Sequence, residues 1–497
     1  MAKINVVFSE SKGKINRDIY GHFTEHIGGV FYDGLWVGEG SEVENVRGFR
    51  KALVDSFKKL NPPVLRWPGG CYAETYDWRD GIGPREQRPA RVNWWYSHDK
   101  RIESNAVGTH EFMDLCRQVG AEPYFAANMT STTPLEIRNW VEYCNFPSGT
   151  ALSDERAKNG DKEPFGIQYW GIGNENWGGG GQMTPEQCAR EYARYSTVAN
   201  SIDKGSMKFI MCGPNGHDVD WTSRLMKEWA SKKWHEAPTY GMSVHYYCSF
   251  AGDPVAFTKD EWYQQLHQAN YMKQVLDDHR AAMMEYDPDM KIGLVVDEWG
   301  CWHKDGSGPS KGYNLFEQQS TMRDAVVAAL TLNIFNDRCD SVVMANVAQL
   351  VNNLHSLYLT SGEKFIETPN YHVFEMYKDH MDAKQLHVVN GTEQLAREGF
   401  RPMQQVSVSA SEAQDGSVLI TLANLEYDKD IEIELGGVDG LLTGQAEIKL
   451  LQGETPQDHN DFEHPTCVKS VISQRAFKDG DTISLPAASV MAIKLVR

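Results

Sequence analysis

Short apolar runs recur along the first three quarters of the chain, and each ends in polar or glycine-rich residues. Near-continuous apolar runs are typical of strands that are buried on both faces. The eight runs are Asp18 to Gly21, Val64 to Trp67, Pro123 to Ala127, Ile167 to Gly173, Phe209 to Cys212, Met242 to Val244, Ile292 to Val296 and Val342 to Ala345.

Segments with helical character separate these runs. Thr184, followed by Pro185 and then Gln187, has the residues of a helix N-terminus. Glu317 to Phe335 carries apolar residues at helical spacing. Eight strand–helix units in about 360 residues predict an α/β fold, a (β/α)8 or TIM barrel.

After about Met381 the pattern changes to that of antiparallel strands. Val406 to Ala410 and Ile431 to Leu435 alternate apolar and polar residues, and Val418 to Leu422 is a short apolar run between them. These segments predict an additional C-terminal all-β sandwich. Lys3 to Phe8 is also strand-like. We therefore predict a barrel over 16–383 and a sandwich over 384–497, possibly joined by 1–15.

Composition narrows the partners and the compartment. The 68 acidic residues outnumber the 49 Lys and Arg, giving a net charge of −19. This charge disfavours binding to nucleic acid or to anionic membranes and is compatible with a neutral substrate such as a sugar. It could equally serve only to keep the protein soluble. The opening MAKINVVFSE lacks the apolar core of a signal peptide, and the chain has no apolar run long enough to span a bilayer. Nine Cys without a C-x-x-C pair indicate free thiols in a reducing cytoplasm.

Two glutamates follow predicted strands in positions that indicate a hydrolytic site. Glu175 follows the fourth strand and Glu298 the seventh, and in a barrel the carboxyl ends of all strands surround one mouth. Cleavage of a glycosidic bond needs one carboxyl group that donates a proton and another that attacks or positions water. The two residues are 123 positions apart, so only the closed barrel can bring them together.

Neighbouring side chains fit the same chemistry. Asn174 can hydrogen-bond a sugar hydroxyl, and Trp177 and Trp299 are expected to stack on sugar C–H faces. His245 and Tyr247, after the sixth strand, are expected to hold the attacking carboxylate in its charged form. The pair Trp94-Trp95 is either a sugar platform or part of the core.

Histidine and cysteine residues near these strand ends raise the possibility of a metal site. They are His22, His26, Cys71, His245, Cys301 and His303. No pair has a recognised ligand spacing such as H-E-x-x-H. We therefore predict no metal and no cofactor.

Several motifs together resemble glycoside hydrolase family 51. They are GHFTEHIGG, RWPGG, GTHEFMDL, EPYFAANM, WVEYCNF, WGIGNENWG, VDEWG, TMRDAVVAALTLNIF and NVAQLVN. The family consists mostly of retaining α-L-arabinofuranosidases. The resemblance implies Glu175 as acid/base and Glu298 as nucleophile. It places Glu25, Cys71, Asn174, His245, Tyr247 and Gln349 around the terminal sugar, and Cys71 stands where many members have Asn.

The resemblance also implies a substrate and an assembly. We expect an exo-acting enzyme that releases arabinose from arabino- or arabinoxylo-oligosaccharides, in a homo-oligomer such as a trimer or hexamer. An endo-β-glucanase, xylanase or β-xylosidase of the same clan is the alternative, and an inactive carbohydrate-binding barrel is disfavoured by the intact glutamates. The nearby charge of Glu298 is expected to raise the pKa of Glu175.

Overall fold

The computed structural model describes residues 2–96, 101–203, 205–231, 239–249 and 251–496. Strand β1 is Ala2–Val7. Strands β2 to β9 are Gly21–Phe23, Val64–Trp67, Glu122–Ala127, Tyr169–Ile172, Lys208–Met211, Thr239–Ser249, Gly293–Trp302 and Val342–Val347. Strands β10 to β17 are Lys384–Asn390, Val406–Glu412, Val418–Asn424, Ile431–Val438, Gly444–Leu451, Ser470–Phe477, Thr482–Leu485 and Val490–Val496.

Helices α1 to α9 are Lys51–Lys59, Thr109–Val119, Pro134–Asn145, Ala151–Lys158, Pro185–Ala199, Val219–Ala230, Lys259–Met284, Met322–Asp337 and Pro369–Tyr377. Short two-stranded pairs join Asn45–Val46 to Phe49–Arg50, Arg91–Val92 to Ile102–Glu103, Tyr358–Ser361 to Lys364–Glu367, and Gln394–Leu395 to Met403–Gln404. None of the helices in the described ranges combines the length and apolar composition needed to cross a bilayer.

Strands β2 to β9 form a closed parallel barrel in chain order, which confirms the predicted (β/α)8 fold. The side chain of Thr184 accepts a hydrogen bond from the backbone N–H of Gln187 and starts α5 as predicted. Helix α8 starts at Met322, later than the pattern indicated, because the side chain of Thr321 caps it.

The first barrel strand differs from the prediction. Arg17–Tyr20 is a 3-10 helix, started by an Asn16 side chain that accepts from the Asp18 N–H, and β2 begins only at Gly21. A Cβ at Gly21 would lie 2.5 Å from Val64 Cγ1 and 2.6 Å from the Ala345 carbonyl oxygen. Glycine therefore allows β2 to fit between its neighbours β3 and β9.

The interior of the barrel is a packed core. Six buried side chains from six strands form one cluster there: Val64, Tyr124, Tyr169, Ile210, Val295 and Met344. Because side chains fill the interior in this way, polar groups meet at the strand ends, as is usual for this fold.

The C-terminal strands and β1 form a nine-stranded sheet in the order β15-β14-β17-β12-β11-β10-β1-β13-β16. All nine strands contribute to a single buried cluster, so the sheet folds around one core as a sandwich. Strand β12 is buried on both faces: Ile420 and Leu422 enter that core, whereas Leu419 and Ala423 join the core around the barrel.

The N-terminal strand belongs to this sheet. Strand β1 lies antiparallel to β10 and parallel to β13. We propose on this basis that 1–15 and 384–497 form one domain and 16–383 the other.

Candidate active site

The two predicted catalytic glutamates meet at the carboxyl end of the barrel. Glu298 lies in β8, in register with His245 of β7, and Glu175 follows β5. A carboxylate oxygen of Glu175, one of Glu298 and a ring nitrogen of His245 all lie within 4.8 Å of one another. Barrel closure thus brings together two residues that are distant in the chain.

Glu298 is surrounded by hydrogen-bond donors. The Arg66 Nη1 group donates to its Oε1 at 2.9 Å, and the Tyr247 hydroxyl donates to its Oε2 at 2.8 Å. The Nδ1 of His245 lies 3.5 Å from Oε2. These donors stabilise a negative charge on Glu298 in a position that is 6% exposed.

Glu175 has a different set of neighbours. His245 Nδ1 lies 2.9 Å from its Oε1, and the Cys71 thiol donates to its Oε2 at 3.2 Å. The backbone of Glu175 has φ = 46°, in the left-handed region that non-glycine residues rarely adopt. Cys71 therefore contacts the acid/base candidate directly.

The pKa of Glu175 is shifted in the direction opposite to that expected from the sequence. Burial lowers the pKa of His245, but the charges of Glu298 and Asp297 outweigh it and raise that pKa well above its usual value. Burial raises the pKa of Glu175, yet the hydrogen bond and charge of His245 bring it below the usual value. The expected rise was wrong because a protonated His245 lies between the two glutamates.

The pKa of Glu298 is shifted upwards, whereas that of Glu175 is shifted downwards. Burial raises its pKa above the usual value, and the charge of Glu175 adds to this effect against His245 and Arg66. Glu175, His245 and Glu298 therefore titrate as one coupled group.

Arg66 and Asp297 belong to the site, although the sequence analysis gave neither a role: Arg66 lies in the predicted run Val64 to Trp67, and Asp297 directly follows the run Ile292 to Val296. Arg66 Nη2 donates to Asn174 Oδ1 at 2.6 Å. Asp297 accepts from the Tyr124 hydroxyl at 2.8 Å, and its Oδ1 lies 3.1 Å from His245 Nε2. The available signal for Arg66 was a charged residue inside an otherwise apolar strand.

Glu25 and Gln349 form a hydrogen-bonded pair at the same end of the barrel. Gln349 Nε2 donates to Glu25 Oε2 at 3.0 Å, and the Tyr72 backbone N–H donates to Oε1 at 3.0 Å. Burial and the charge of Glu298 raise the pKa of Glu25 to about 8. Glu25 is therefore mostly protonated at neutral pH.

These groups line a pocket of about 310 Å³. Its lining includes Glu25, Cys71, Glu175, Tyr247, Glu298 and Gln349, and its apolar wall comes from Ile27, Trp95, Trp302, Phe316 and Leu354. The volume lies at the lower end of the range for small-molecule sites.

The aromatic wall differs from the predicted one. Trp299 is buried against Phe335 and His355, because successive side chains of a strand point to opposite faces, and neither it nor Trp177 lines the pocket. Trp95 does line it, whereas Trp94 is 69% exposed.

The structure also places the histidines considered as metal ligands. Burial lowers the pKa of His22 to about 3, and His26 hydrogen-bonds Glu103 and the Trp67 indole. A second close donor group, Cys301, Asp324 and His355, is buried, and none of its members lines the pocket. His303 Nε2 lies 2.8 Å from Asp324 Oδ1. Asp324 Oδ2 accepts a hydrogen bond from the backbone N–H of Thr321, the residue that precedes α8.

Comparison with protein families gives two matches. The family model "Alpha-L-arabinofuranosidase 1 domain" matches residues 56–252, and "Alpha-L-arabinofuranosidase C-terminal domain" matches residues 297–489. The second match begins at Asp297 and therefore includes the end of the barrel as well as most of the sandwich.

Full-length relatives agree with these matches. The chain is 39% identical to an intracellular exo-α-L-arabinofuranosidase of Bacteroides ovatus, over 99% of this chain and 95% of that protein. Among solved structures it is similar to the GH51 arabinofuranosidase of Xanthomonas axonopodis pv. citri, with a TM-score of 0.93, 36% identity and complete coverage of both chains. It is also similar to the α-L-arabinofuranosidase of Thermotoga maritima solved as an arabinose complex, with a TM-score of 0.87, 29% identity and complete coverage of both chains. The resemblance seen in the sequence is thus confirmed, and the chain belongs to the α-L-arabinofuranosidases of glycoside hydrolase family 51.

Proposed function

We propose that this enzyme is a retaining, exo-acting α-L-arabinofuranosidase that releases terminal non-reducing arabinose from arabino- or arabinoxylo-oligosaccharides by double displacement. The observation that carries this proposal is that one carboxylate oxygen of Glu175 and one of Glu298 lie within 4.8 Å of each other. Retaining glycosidases have carboxyl groups about 5–5.5 Å apart, whereas inverting ones need about 6.5–9.5 Å to admit water between them.

In the first step, Glu298 attacks the anomeric carbon while Glu175 gives its proton to the departing glycosidic oxygen. The ester bond to Glu298 forms as the glycosidic bond breaks, and the shortened oligosaccharide leaves. In the second step, Glu175 removes a proton from water, and the resulting hydroxide displaces Glu298 from the sugar. This restores both groups with net consumption of one water molecule.

The proton for the first step has a source in the resting site. His245 Nδ1 lies 2.9 Å from Glu175 Oε1, and the pKa of His245 is raised well above its usual value. Moving that proton across the hydrogen bond leaves a neutral His245 and a protonated Glu175. The two states contain the same number of protons, so binding of an uncharged sugar need only shift the proton's position.

The pocket supports recognition of one terminal sugar. Glu25 and Gln349 line the pocket from two different barrel strand ends, and Asn174, at a third, contacts the lining residue Cys71; each of the three is at most 5% exposed. Buried polar groups of this kind discriminate strongly, because a sugar that fails to match them leaves them unpaired. Cys71 contributes a much weaker hydrogen-bonding group than an amide would.

Compartment and assembly are part of the same proposal. The Bacteroides ovatus relative is named intracellular, and we propose a cytoplasmic location in which the enzyme meets imported fragments rather than intact polymer. The trimer or hexamer implied by the family stays a prediction.

Replacing Glu175 with Ala should remove acid catalysis while leaving the nucleophile in place. We expect a loss of about 10²–10⁴-fold on oligosaccharides, whose leaving groups need protonation, and a much smaller loss on activated aryl arabinofuranosides. Added azide should restore turnover of the aryl substrate, and Glu298→Gln should abolish turnover of both. Equal losses on good and poor leaving groups in Glu175→Ala would remove the acid/base assignment.

The raised pKa of Glu25 predicts a pH-dependent stability difference. Between about pH 4.5 and 8 the folded state keeps a proton on Glu25 that the unfolded state releases, so this group lowers the stability of the wild type by about 1.4 kcal/mol per pH unit. Glu25→Gln lacks the proton, and its free energy of unfolding relative to the wild type should therefore rise through that window and level off above pH 8. Urea melts across the pH range measure this, and a difference independent of pH would contradict a neutral Glu25.

Product analysis tests the exo-acting specificity. Chromatography of early products from arabinoxylo-oligosaccharides should show free arabinose and little action on intact arabinoxylan or arabinan. Xylo- or gluco-oligosaccharides of mixed length without arabinose would instead establish the endo-glycanase alternative, and free xylose would point to β-xylosidase activity.

A further inference from the structure

The turn that carries Glu175 has a backbone conformation that its own sequence does not favour. Glu175 has φ = 46°, and a non-glycine residue in this region costs about 1–3 kcal/mol. Such strain persists only where neighbouring groups determine the conformation. The contacts that maintain this turn therefore decide where the Glu175 carboxyl group lies.

One oxygen atom of Glu74 holds both residues that flank Glu175. Glu74 Oε1 accepts a hydrogen bond from the Asn174 backbone N–H at 2.5 Å and another from Asn176 Nδ2 at 3.0 Å. Asn176 Nδ2 also reaches the Gly180 carbonyl oxygen at 2.7 Å, which closes the turn. The acid/base residue is thus spanned by two hydrogen bonds to the same atom.

The other oxygen of Glu74 ties this turn to the neighbouring strand end. Glu74 Oε2 accepts from the backbone N–H groups of Met129 at 2.9 Å and Thr130 at 2.7 Å, just beyond β4. Glu74 itself lies in the 3-10 helix Cys71–Thr75 that follows β3. A single carboxylate therefore connects three consecutive strand ends of the barrel.

The contacts of Glu74 suit the acceptor oxygens of a carboxyl group: burial raises its pKa, and the hydrogen bonds that it accepts act against this rise. Glu74 is 1% exposed, and its carboxyl oxygens accept hydrogen bonds from four N–H groups and from the Thr130 side chain. An amide in its place would keep one accepting oxygen, but its NH2 group would face N–H groups without an acceptor, which is costly in a buried position.

We propose that Glu74 is a positioning residue for the acid/base: its carboxylate fixes the left-handed turn that aims Glu175 at the glycosidic oxygen. This inference rests on the proposed function, because it assigns Glu74 to the proton-transfer part of that reaction. Cys71, at the start of the same 3-10 helix, meets the Glu175 side chain at 3.2 Å. One short helix thus contacts both the backbone of this turn and its carboxyl group.

The test is Glu74→Gln, assayed on a series of aryl arabinofuranosides of graded leaving-group pKa and on an arabino-oligosaccharide. A misplaced acid harms only those substrates whose leaving group needs a proton. We expect a loss of less than about 10-fold on the best leaving group and more than about 10²-fold on the oligosaccharide. The loss should therefore grow steadily with leaving-group pKa, chiefly in kcat.

Asp287→Asn is the matched control. Asp287 is also a buried carboxylate that accepts from backbone N–H groups, those of Lys291 and Ile292, but it precedes β8 at the opposite end of the barrel. Its variant should lose stability without any change in leaving-group dependence. Asn176→Ala, which removes one donor and keeps the carboxylate, should show a weaker form of the Glu74→Gln pattern and serves if Glu74→Gln does not fold.

Equal losses across the substrate series, in Glu74→Gln or in Asn176→Ala if the former does not fold, would overturn the inference and leave Glu74 a structural residue only. A wild-type enzyme without activity on any arabinofuranoside would instead contradict the proposed function. The same experiment therefore distinguishes failure of this inference from failure of the proposed function.

Discussion

The active site depends on one buried guanidinium. Arg66 is 1% exposed, and its nitrogens contact the carboxylates of Glu298 and Asp297 and the amide oxygen of Asn174. A buried charge must be paired, and here the partners come from β8 and from the turn after β5. Burial lowers the pKa of Arg66, but the two carboxylates outweigh it and raise that pKa, so the group stays cationic. It thereby contacts both the proposed nucleophile, Glu298, and Asn174, the residue before the proposed acid/base.

The charges around Arg66 explain the pKa shifts of the neighbouring carboxyl groups. Glu25, Glu175, Asp297 and Glu298 provide four carboxyl groups, whereas Arg66 and His245 provide two positive charges. Asp297 takes a full charge: burial raises its pKa, but Arg66 and His245 bring it below the usual value. Burial and the charge of Glu298 raise the pKa of Glu25 to about 8, so it stays neutral. Glu175, His245 and Glu298 titrate as one coupled group, as the proposed acid/base catalysis with a nucleophile requires.

The sequence predicted the fold and the two glutamates because both depend on local patterns. Buried parallel strands require apolar runs, and the residues after those runs must converge on one mouth. It did not predict which tryptophans face the pocket, since Trp299 and Trp302 differ only in strand phase and local bending. Arg66 and Glu74 were missed because their roles arise from contacts between strand ends that are distant in the chain. The direction of the pKa shift of Glu175 depends on the position of His245 between the two carboxyl groups. No sequence pattern contains that position.

The central claim is that Glu298 attacks the sugar directly, and the stereochemistry of the first product tests it. The enzyme is supplied with an aryl α-L-arabinofuranoside in water that contains methanol, and proton NMR follows the products. Methanol traps part of the sugar as a methyl glycoside, which does not mutarotate. Double displacement predicts methyl α-L-arabinofuranoside, with the anomeric configuration of the substrate retained. Formation of an inverted first product, with no methyl α-glycoside, would contradict a nucleophilic role for Glu298 and the account of the site built on it.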